Sequence, residues 1–93
     1  MIATLRPLSH ELQALGTTSL FIYGSRARGD AHHLSDLDVY VDYDPSSRFS
    51  LVTLAHIKHL IEDATGLDVD ITTLNSIPER SRVEIAADAI QVF

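Results

Sequence analysis

The chain has 93 residues, enough for one small domain with a modest hydrophobic core. Thirteen acidic against seven basic residues give a net charge of −6, which disfavours binding to free nucleic acid. The sequence has no cysteine, so disulfides and thiolate metal sites are excluded. It also has no apolar run long enough to span a membrane and no secretion-type N-terminus, so we expect a cytoplasmic protein without a membrane partner.

The first half of the chain predicts one helix and two strands. Leucines recur at helical spacing over residues 5–15, and we predict a single helix there with Pro7 tolerated in its first turn. The short apolar run at residues 19–23 predicts a buried strand. Apolar and polar residues then alternate over residues 37–43, which predicts a strand with one packed face.

The second half of the chain continues this alternation of helices and strands. Residues 51–64 carry an apolar helical stripe, and Gly66 follows as an expected helix end. Residues 69–72 predict a third strand. Residues 76–79, Ser-Ile-Pro-Glu, have the spacing of a capping box for a last helix, and residues 90–93 fit a terminal strand. This order predicts an α/β fold, a sheet with helices packed against it.

Two neighbouring segments carry the chemistry of the chain. Gly-Ser-Arg-Ala-Arg-Gly at residues 24–29 follows a predicted strand, where backbone N–H groups of a turn can face phosphate oxygens. Ser-Asp-Leu-Asp-Val at residues 35–39 puts Asp36 and Asp38 on one strand face, roughly 7 Å apart at Cα. Such a pair gains from a shared cation, and Mg²⁺ prefers oxygen ligands and substrate phosphates. Alone, either segment fits a surface turn or a pair of solvated carboxylates.

Together the segments resemble the signature of the minimal nucleotidyltransferase family, within the DNA polymerase β-like superfamily. That signature is Gly-Ser-x-Ala-Arg-Gly, a spacer, then Ser-Asp-x-Asp-aliphatic, and every fixed position is filled here. The resemblance implies the polymerase β-like fold, a small mixed β-sheet packed with helices, as one domain over residues 1–93. It implies that Gly24 and Ser25 hold nucleotide phosphates and that Arg28 either contacts the nucleotide or braces the loop.

The resemblance also implies a third carboxylate on a later strand. Asp70 fits best, because apolar residues flank it as they would inside a short strand, whereas Asp68 lies nearer the strand's start and is interpreted as solvated. Asp36, Asp38 and Asp70 are therefore the expected catalytic and metal-binding residues, holding Mg²⁺, expected as two ions. Asp70 is also a candidate to accept the acceptor's proton.

The implied reaction transfers a nucleoside monophosphate, AMP from ATP, to an acceptor hydroxyl. Members of the family act as antitoxins beside HEPN-type ribonuclease toxins, and some transfer AMP to a toxin tyrosine, so a HEPN-type toxin is the expected partner. Two alternatives stay open: an antitoxin that inhibits by contact alone, and a small-molecule nucleotidyltransferase, which the short chain disfavours. A neighbouring open reading frame for a small helical protein with an Arg-x4–6-His motif would favour the toxin partnership.

Other polar residues receive weaker interpretations. Arg26 occupies a variable signature position and could contact phosphate or pair with a nearby aspartate. His32 and His33 lie between the two motif segments and could approach nucleotide or partner, without a catalytic role. His56 and His59 fall opposite the apolar stripe of their helix, so we expect solvated side chains.

Overall fold

The structure is a computed structural model that describes residues 1–93. Its elements, in chain order, are α1 (Ile2–Leu5), a 3-10 turn (Arg6–Leu8), α2 (Ser9–Ala14), β1 (Thr17–Tyr23), α3 (Ser25–Arg28), β2 (Leu37–Tyr43), α4 (Leu51–Thr65), β3 (Val69–Thr73), a second 3-10 turn (Leu74–Ser76), α5 (Glu79–Asp88) and β4 (Ile90–Gln91).

The four strands form one mixed sheet in the order β3-β2-β1-β4. β1 is antiparallel to both β2 and β4, whereas β2 and β3 are parallel. Parallel neighbours require a crossover connection, and α4 supplies it by carrying the chain from the end of β2 back to the start of β3. The predicted α/β class and mixed sheet are confirmed.

The hydrophobic core contains side chains from α1, α2, α4 and alternate positions of the strands. Its largest members are fully buried: Leu5, Leu12, Leu20, Leu37, Val39, Val41, Ile57 and Ile61. Because strand side chains alternate between faces, the intervening residues lie on the opposite face of the sheet. That opposite face carries the stacked rings of Phe21 and Tyr40, with centroids 4.7 Å apart, and the aspartates of the motif.

The predicted single helix over residues 5–15 is wrong in its continuity. The chain forms α1, a 3-10 turn that contains Pro7, and then α2. Proline has no backbone N–H to donate and its ring crowds the carbonyl four residues earlier, so it interrupts the α-helical hydrogen-bond ladder. The spacing nevertheless identified the inward side, because Leu5 and Leu12 are both fully buried.

The predicted capping box at residues 76–79 is also wrong. Ser76 ends the second 3-10 turn, and its hydroxyl lies 2.7 Å from that of Thr73, while α5 begins at Glu79 with no side-chain cap. A capping box does occur at α4, where Ser50 and Thr53 exchange side-chain and backbone hydrogen bonds.

The remaining element boundaries need smaller adjustments. α4 ends at Gly66, as predicted. β1 begins two residues earlier than expected, at Thr17. β4 covers only Ile90–Gln91, although Val92 N–H still donates to the Leu20 carbonyl at 2.8 Å. No helix of the structure combines the length and apolarity that crossing a bilayer would require.

The contrast between the two faces of α4 gives a stability prediction. Ile57 is 0% exposed in the core, whereas Val52 on the same helix is 80% exposed. We expect Ile57→Ala to lower the free energy of unfolding by about 2–5 kcal/mol, because it removes buried apolar contacts and leaves a cavity. Val52→Ala should change it by no more than about 0.5 kcal/mol. Urea titration followed by circular dichroism measures both, and equal losses would contradict this assignment of the core.

Candidate active site

The strand register aligns residues of three strands in one row across the sheet. Tyr23 at the end of β1 pairs with Asp38 on β2, and Asp38 pairs with Asp70 on β3. We refer to Tyr23, Asp38 and Asp70 as the cross-strand row. Since all three lie at paired positions, their side chains leave the same face of the sheet, the face opposite the core.

The glycine of the first motif segment packs directly against an aspartate of the second. Gly24 follows Tyr23 with φ +71° and ψ −152°, a conformation that is essentially restricted to glycine. A Cβ atom at this position would lie 2.6 Å from Asp38 Oδ2, closer than real side chains approach. The absence of a side chain at Gly24 therefore lets the end of β1 lie beside the carboxylate of β2.

The segment after Gly24 is a single helical turn, Ser25–Arg28, which sequence reasoning treated only as a turn. The Arg28 N–H donates to the Gly24 carbonyl at 3.1 Å, and the Asp30 N–H donates to the Ser25 carbonyl at 3.0 Å. These bonds fix the turn immediately beside Asp38. The first N–H groups of a helical turn have no intrahelical acceptor, so they are free to bind an anion.

The structure distinguishes between the two candidates for the third carboxylate. Asp70 lies inside β3 and pairs with Asp38 in the strand register. Asp68 precedes β3, and its backbone carbonyl accepts a hydrogen bond from Leu37 N–H at 2.9 Å. Asp36 lies one residue before β2. Because the next residue, Leu37, pairs with Val69, Asp36 is nearer to Asp68 than to Asp70 along the register. Asp70 is thus the carboxylate brought next to Asp38, as the sequence predicted.

The proximity of these carboxylates disfavours ionisation of Asp38. Partial burial raises the pKa of Asp38 above its usual 3.8, and the charges of Asp70 and Asp36 raise it further. The pKa of Tyr23 is raised in the same way, first by burial and then by the charges of Asp38 and Asp70, so this phenol is held neutral. Tyr23 was not predicted as a site residue, and only the strand register identifies it.

The donor set fits a divalent cation that is bound together with a substrate. No three carboxylate or histidine side chains converge closely enough to hold a metal ion by themselves. Asp36, Asp38 and Asp70 nevertheless offer carboxylate oxygens on one sheet face, and two of them raise the pKa of the third. Mg²⁺ typically uses one or two carboxylates plus phosphate oxygens and water, which matches this open arrangement.

Arg26 braces the loop between the two motif segments. Its Nη2 donates to the backbone carbonyls of Ser35, at 2.8 Å, and His32, at 3.3 Å. Arg26 forms no ion pair with an aspartate, because its guanidinium faces carbonyl oxygens of the following loop. The brace fixes the chain immediately before Asp36.

Arg28 forms two ion pairs, one local and one with a distant helix. Its Nε lies 3.1 Å from Asp30 Oδ2, and its Nη1 lies 3.6 Å from Asp88 Oδ2 at the end of α5. Hydrogen bonding to Asp30 is the largest contribution that raises the pKa of Arg28. The side chain is 46% exposed and remains accessible to a phosphate. Asp88 carries no sequence signal, since only the tertiary fold brings α5 to this turn.

The histidines lie outside the cross-strand row. His56 and His59 are exposed on α4, as predicted. His32 and His33 are exposed in the loop, with ring centroids 6.1 Å apart, and His32 Nδ1 accepts a hydrogen bond from Leu34 N–H at 3.1 Å. These contacts order the loop locally and do not include the carboxylates.

Comparison with known proteins identifies the family. The family model described as "Nucleotidyltransferase domain" matches residues 5–93. The chain belongs to this family. It is 32% identical over 78 residues to a protein of Methanocaldococcus jannaschii named "Putative protein adenylyltransferase", covering 84% of this chain and 82% of that protein. A solved "putative minimal nucleotidyltransferase" is 30% identical, with a TM-score of 0.74 and coverage of 96% of this chain and 93% of that one. This nucleotidyltransferase is therefore a minimal member of the family.

Two solved complexes share the nucleotidyltransferase fold at lower sequence identity. One is a toxin-antitoxin with AMP-PNP, at 18% identity and a TM-score of 0.73, covering 95% of this chain and 72% of that one. The other contains tri-AMPylated Shewanella oneidensis HEPN toxin with MNT antitoxin, at 14% identity and a TM-score of 0.67, covering 100% and 72%. At these identities the likeness establishes the fold alone.

The close approach of Gly24 to Asp38 gives a matched pair of glycine substitutions. Gly24→Ala should cost about 1–3 kcal/mol of backbone strain and displace the Asp38 carboxylate, so we expect a large loss of ATP affinity. Gly29→Ala, at φ +81° with no atom within 4 Å of its added Cβ, should cost about 1–2 kcal/mol of stability and leave ATP affinity nearly unchanged. Calorimetric titration with ATP and Mg²⁺ measures both. Equal affinities would contradict a role for the Gly24 contact.

The raised pKa of Asp38 predicts that replacing this residue with a neutral one increases thermal stability in a pH-dependent way. Because the pKa of Asp38 is higher in the folded state than in the unfolded state, ionisation of this carboxyl lowers the free energy of unfolding. The loss of stability is absent below the ordinary pKa of 3.8 and complete above the folded-state pKa. In metal-free buffer we expect Asp38→Asn to raise the melting temperature at pH 7, with the gain disappearing as the pH falls below 3.8. Asp42→Asn, an exposed position on β2, is the control and should show no such trend. A destabilised Asp38→Asn variant at pH 7 would contradict the argument.

Proposed function

We propose that this nucleotidyltransferase transfers AMP from ATP to a hydroxyl of a partner protein, a HEPN-type toxin, and thereby acts as its antitoxin. The observation that carries the proposal is the position of Gly24, directly after β1, against Asp38 on β2, which in turn pairs with Asp70 on β3. It supports a triphosphate lying across the end of the sheet, with its α-phosphate above the carboxylates.

The phosphates would be held at the end of β1. Gly24 and Ser25 offer backbone N–H groups and a hydroxyl, and the exposed guanidinium of Arg28 can form charge-assisted hydrogen bonds to phosphate oxygens. Arg28 would have to exchange at least part of its pairing with Asp30 or Asp88 for the phosphate. In this arrangement the leaving pyrophosphate would lie at the turn formed by Gly24 and Ser25.

The carboxylates would act on the α-phosphate and on the acceptor. Asp36, Asp38 and Asp70 would hold Mg²⁺, which when bound supplies positive charge to the phosphate oxygens during an in-line displacement. Asp70 would accept the proton of the acceptor hydroxyl, a role that its exposure on the edge strand supports. The acceptor oxygen forms a bond to the α-phosphorus, the bond from that phosphorus to the bridging oxygen breaks, and pyrophosphate leaves.

The identity of donor and partner rests on the comparisons. AMP-PNP in one complex of the same fold supports an adenine nucleotide as donor. The AMPylated HEPN toxin in another supports a protein acceptor, with a tyrosine hydroxyl as the expected group. The relative named a protein adenylyltransferase is consistent with the same reaction.

The reaction is tested with the product of a neighbouring reading frame that encodes a HEPN-type protein. Incubation with this chain, ATP and Mg²⁺ should add one or more AMP masses to that protein, as measured by intact mass spectrometry. Asp36→Ala/Asp38→Ala should abolish the adduct and leave the complex intact on size-exclusion chromatography, because the carboxylates act on the transferring group whereas docking uses other surface. Excess chelator should abolish the adduct with the wild-type chain.

A toxin that remains unmodified yet is fully inhibited by both the wild-type chain and the double variant would overturn the enzymatic proposal. That result would instead identify an antitoxin that acts by contact alone. Loss of both complex and fold in the double variant, seen by circular dichroism, would indicate that the carboxylates are structural.

A further inference from the structure

Given the proposed function, the order of the strands determines the side from which an acceptor can reach the α-phosphate. In an in-line displacement, the attacking and leaving oxygens lie on opposite sides of the phosphorus. The leaving pyrophosphate is assigned to Gly24 at the end of β1, and the α-phosphate lies above Asp38 on β2. The attacking oxygen must therefore come from the side of β3, the next strand, about 4.8 Å further across the sheet.

β3 is an edge strand, so this approach is open. No strand lies beyond it in the sheet, and Asp70 on it is exposed. A small cavity of about 150 Å³ lies at the same corner, between the loop that precedes β2 and the chain that enters β3. Its lining includes Leu34, Asp36 and Asp68. The volume is smaller than typical pockets for a whole small-molecule ligand and suits a single side chain.

We propose that Leu34, Asp68 and Asp70 form the acceptor surface, on which a segment of the modified protein docks. Leu34 is 75% exposed, and it lies on the loop whose carbonyls Arg26 holds at 2.8 and 3.3 Å. An apolar side chain on a braced loop beside the reacting groups binds with little ordering cost, as an anchor residue does. Arg26 is therefore a positioning residue, because it holds the loop that carries Leu34.

The charge of the surface determines the kind of segment that fits. Asp68 immediately precedes the edge strand β3 and Asp70 lies within it, while Asp36 lies just before the neighbouring strand β2. Arg26 donates to the carbonyls of this loop, and Arg28 is paired with Asp30 and Asp88, so neither arginine forms an ion pair with Asp68 or Asp70. The occupant is therefore a protein segment that carries the acceptor hydroxyl, an apolar side chain to contact Leu34, and basic residues beside Asp68.

The chain provides a matched control for Leu34. Leu51 is also a highly exposed leucine, at 84%, and it begins α4. The 15 residues of α4 span about 22 Å and end at Gly66, which lines the proposed cavity. Leu51 therefore lies at the far end of the helix from the acceptor surface, and both leucines can be replaced without disturbing the core.

The test places the photo-crosslinking residue p-benzoylphenylalanine at position 34 or 51 of the full chain, in the presence of the HEPN-type protein. We expect crosslinking from position 34 and little from position 51. Leu34→Ser should raise the KM for the acceptor on the order of tenfold, equivalent to about 1.4 kcal/mol, and leave ATP affinity by calorimetry unchanged. Leu51→Ser should alter neither value. Asp68→Lys should also raise the acceptor KM, whereas Asp42→Lys, at an exposed position on β2, should not.

Crosslinking from position 51 alone, or equally from both positions, would overturn the proposed surface, as would equal acceptor KM values for Leu34→Ser and the wild type. Failure of the proposed function gives a different result. In that case the wild-type chain adds no AMP to the HEPN-type protein, and crosslinking from position 34 still reports whether the surface is used for docking.

Discussion

The site depends on one close contact, between the backbone of Gly24 and the carboxylate of Asp38. A Cβ atom at Gly24 would lie 2.6 Å from Asp38 Oδ2, so with a side chain at this position the carboxylate or the turn after β1 would have to shift. The contact brings a glycine and an aspartate that are separated along the chain into one candidate site. Their proximity is a consequence of adjacent antiparallel strands.

The two faces of the sheet differ in composition and role. One face buries aliphatic side chains against α1, α2 and α4, which supplies most of the hydrophobic stabilisation available to so small a chain. The other face can therefore accommodate neighbouring aspartates that repel one another. The raised pKa of Asp38 shows that this arrangement has an energetic cost in the absence of a cation. Functional sites commonly carry such local costs, which a stable core tolerates.

Two arginines of the same helical turn have different roles because of where the tertiary structure directs them. Arg26, at a position that the family signature leaves variable, holds the carbonyls of the following loop. Arg28, at a fixed position, is exposed and paired with Asp30 and Asp88. The pairing with Asp88 connects α5, a helix without any fully buried residue, to the turn that follows β1.

Local patterns predicted much of the fold because each follows from short-range physics. The alternation of residues 37–43 identified β2 and its inward face, and the apolar stripe before Gly66 identified α4. The flanking apolar residues predicted that Asp70 lies inside a strand, and the register puts it opposite Asp38. The prediction fails where two local signals compete, as at Pro7, where the leucine spacing favours a continuous helix but the missing N–H donor interrupts it.

By itself, the sequence determined the family, the inward faces of the main elements and the residue types available for phosphate and metal. These depend on residue identity and on spacings of a few positions. The tertiary structure decided which groups are neighbours: Tyr23 beside Asp38, Asp88 beside Arg28, and the open edge of the sheet beside Asp70. Those relations depend on strand order and register, which are set by the packing of distant segments into one core and have no local signature in the chain.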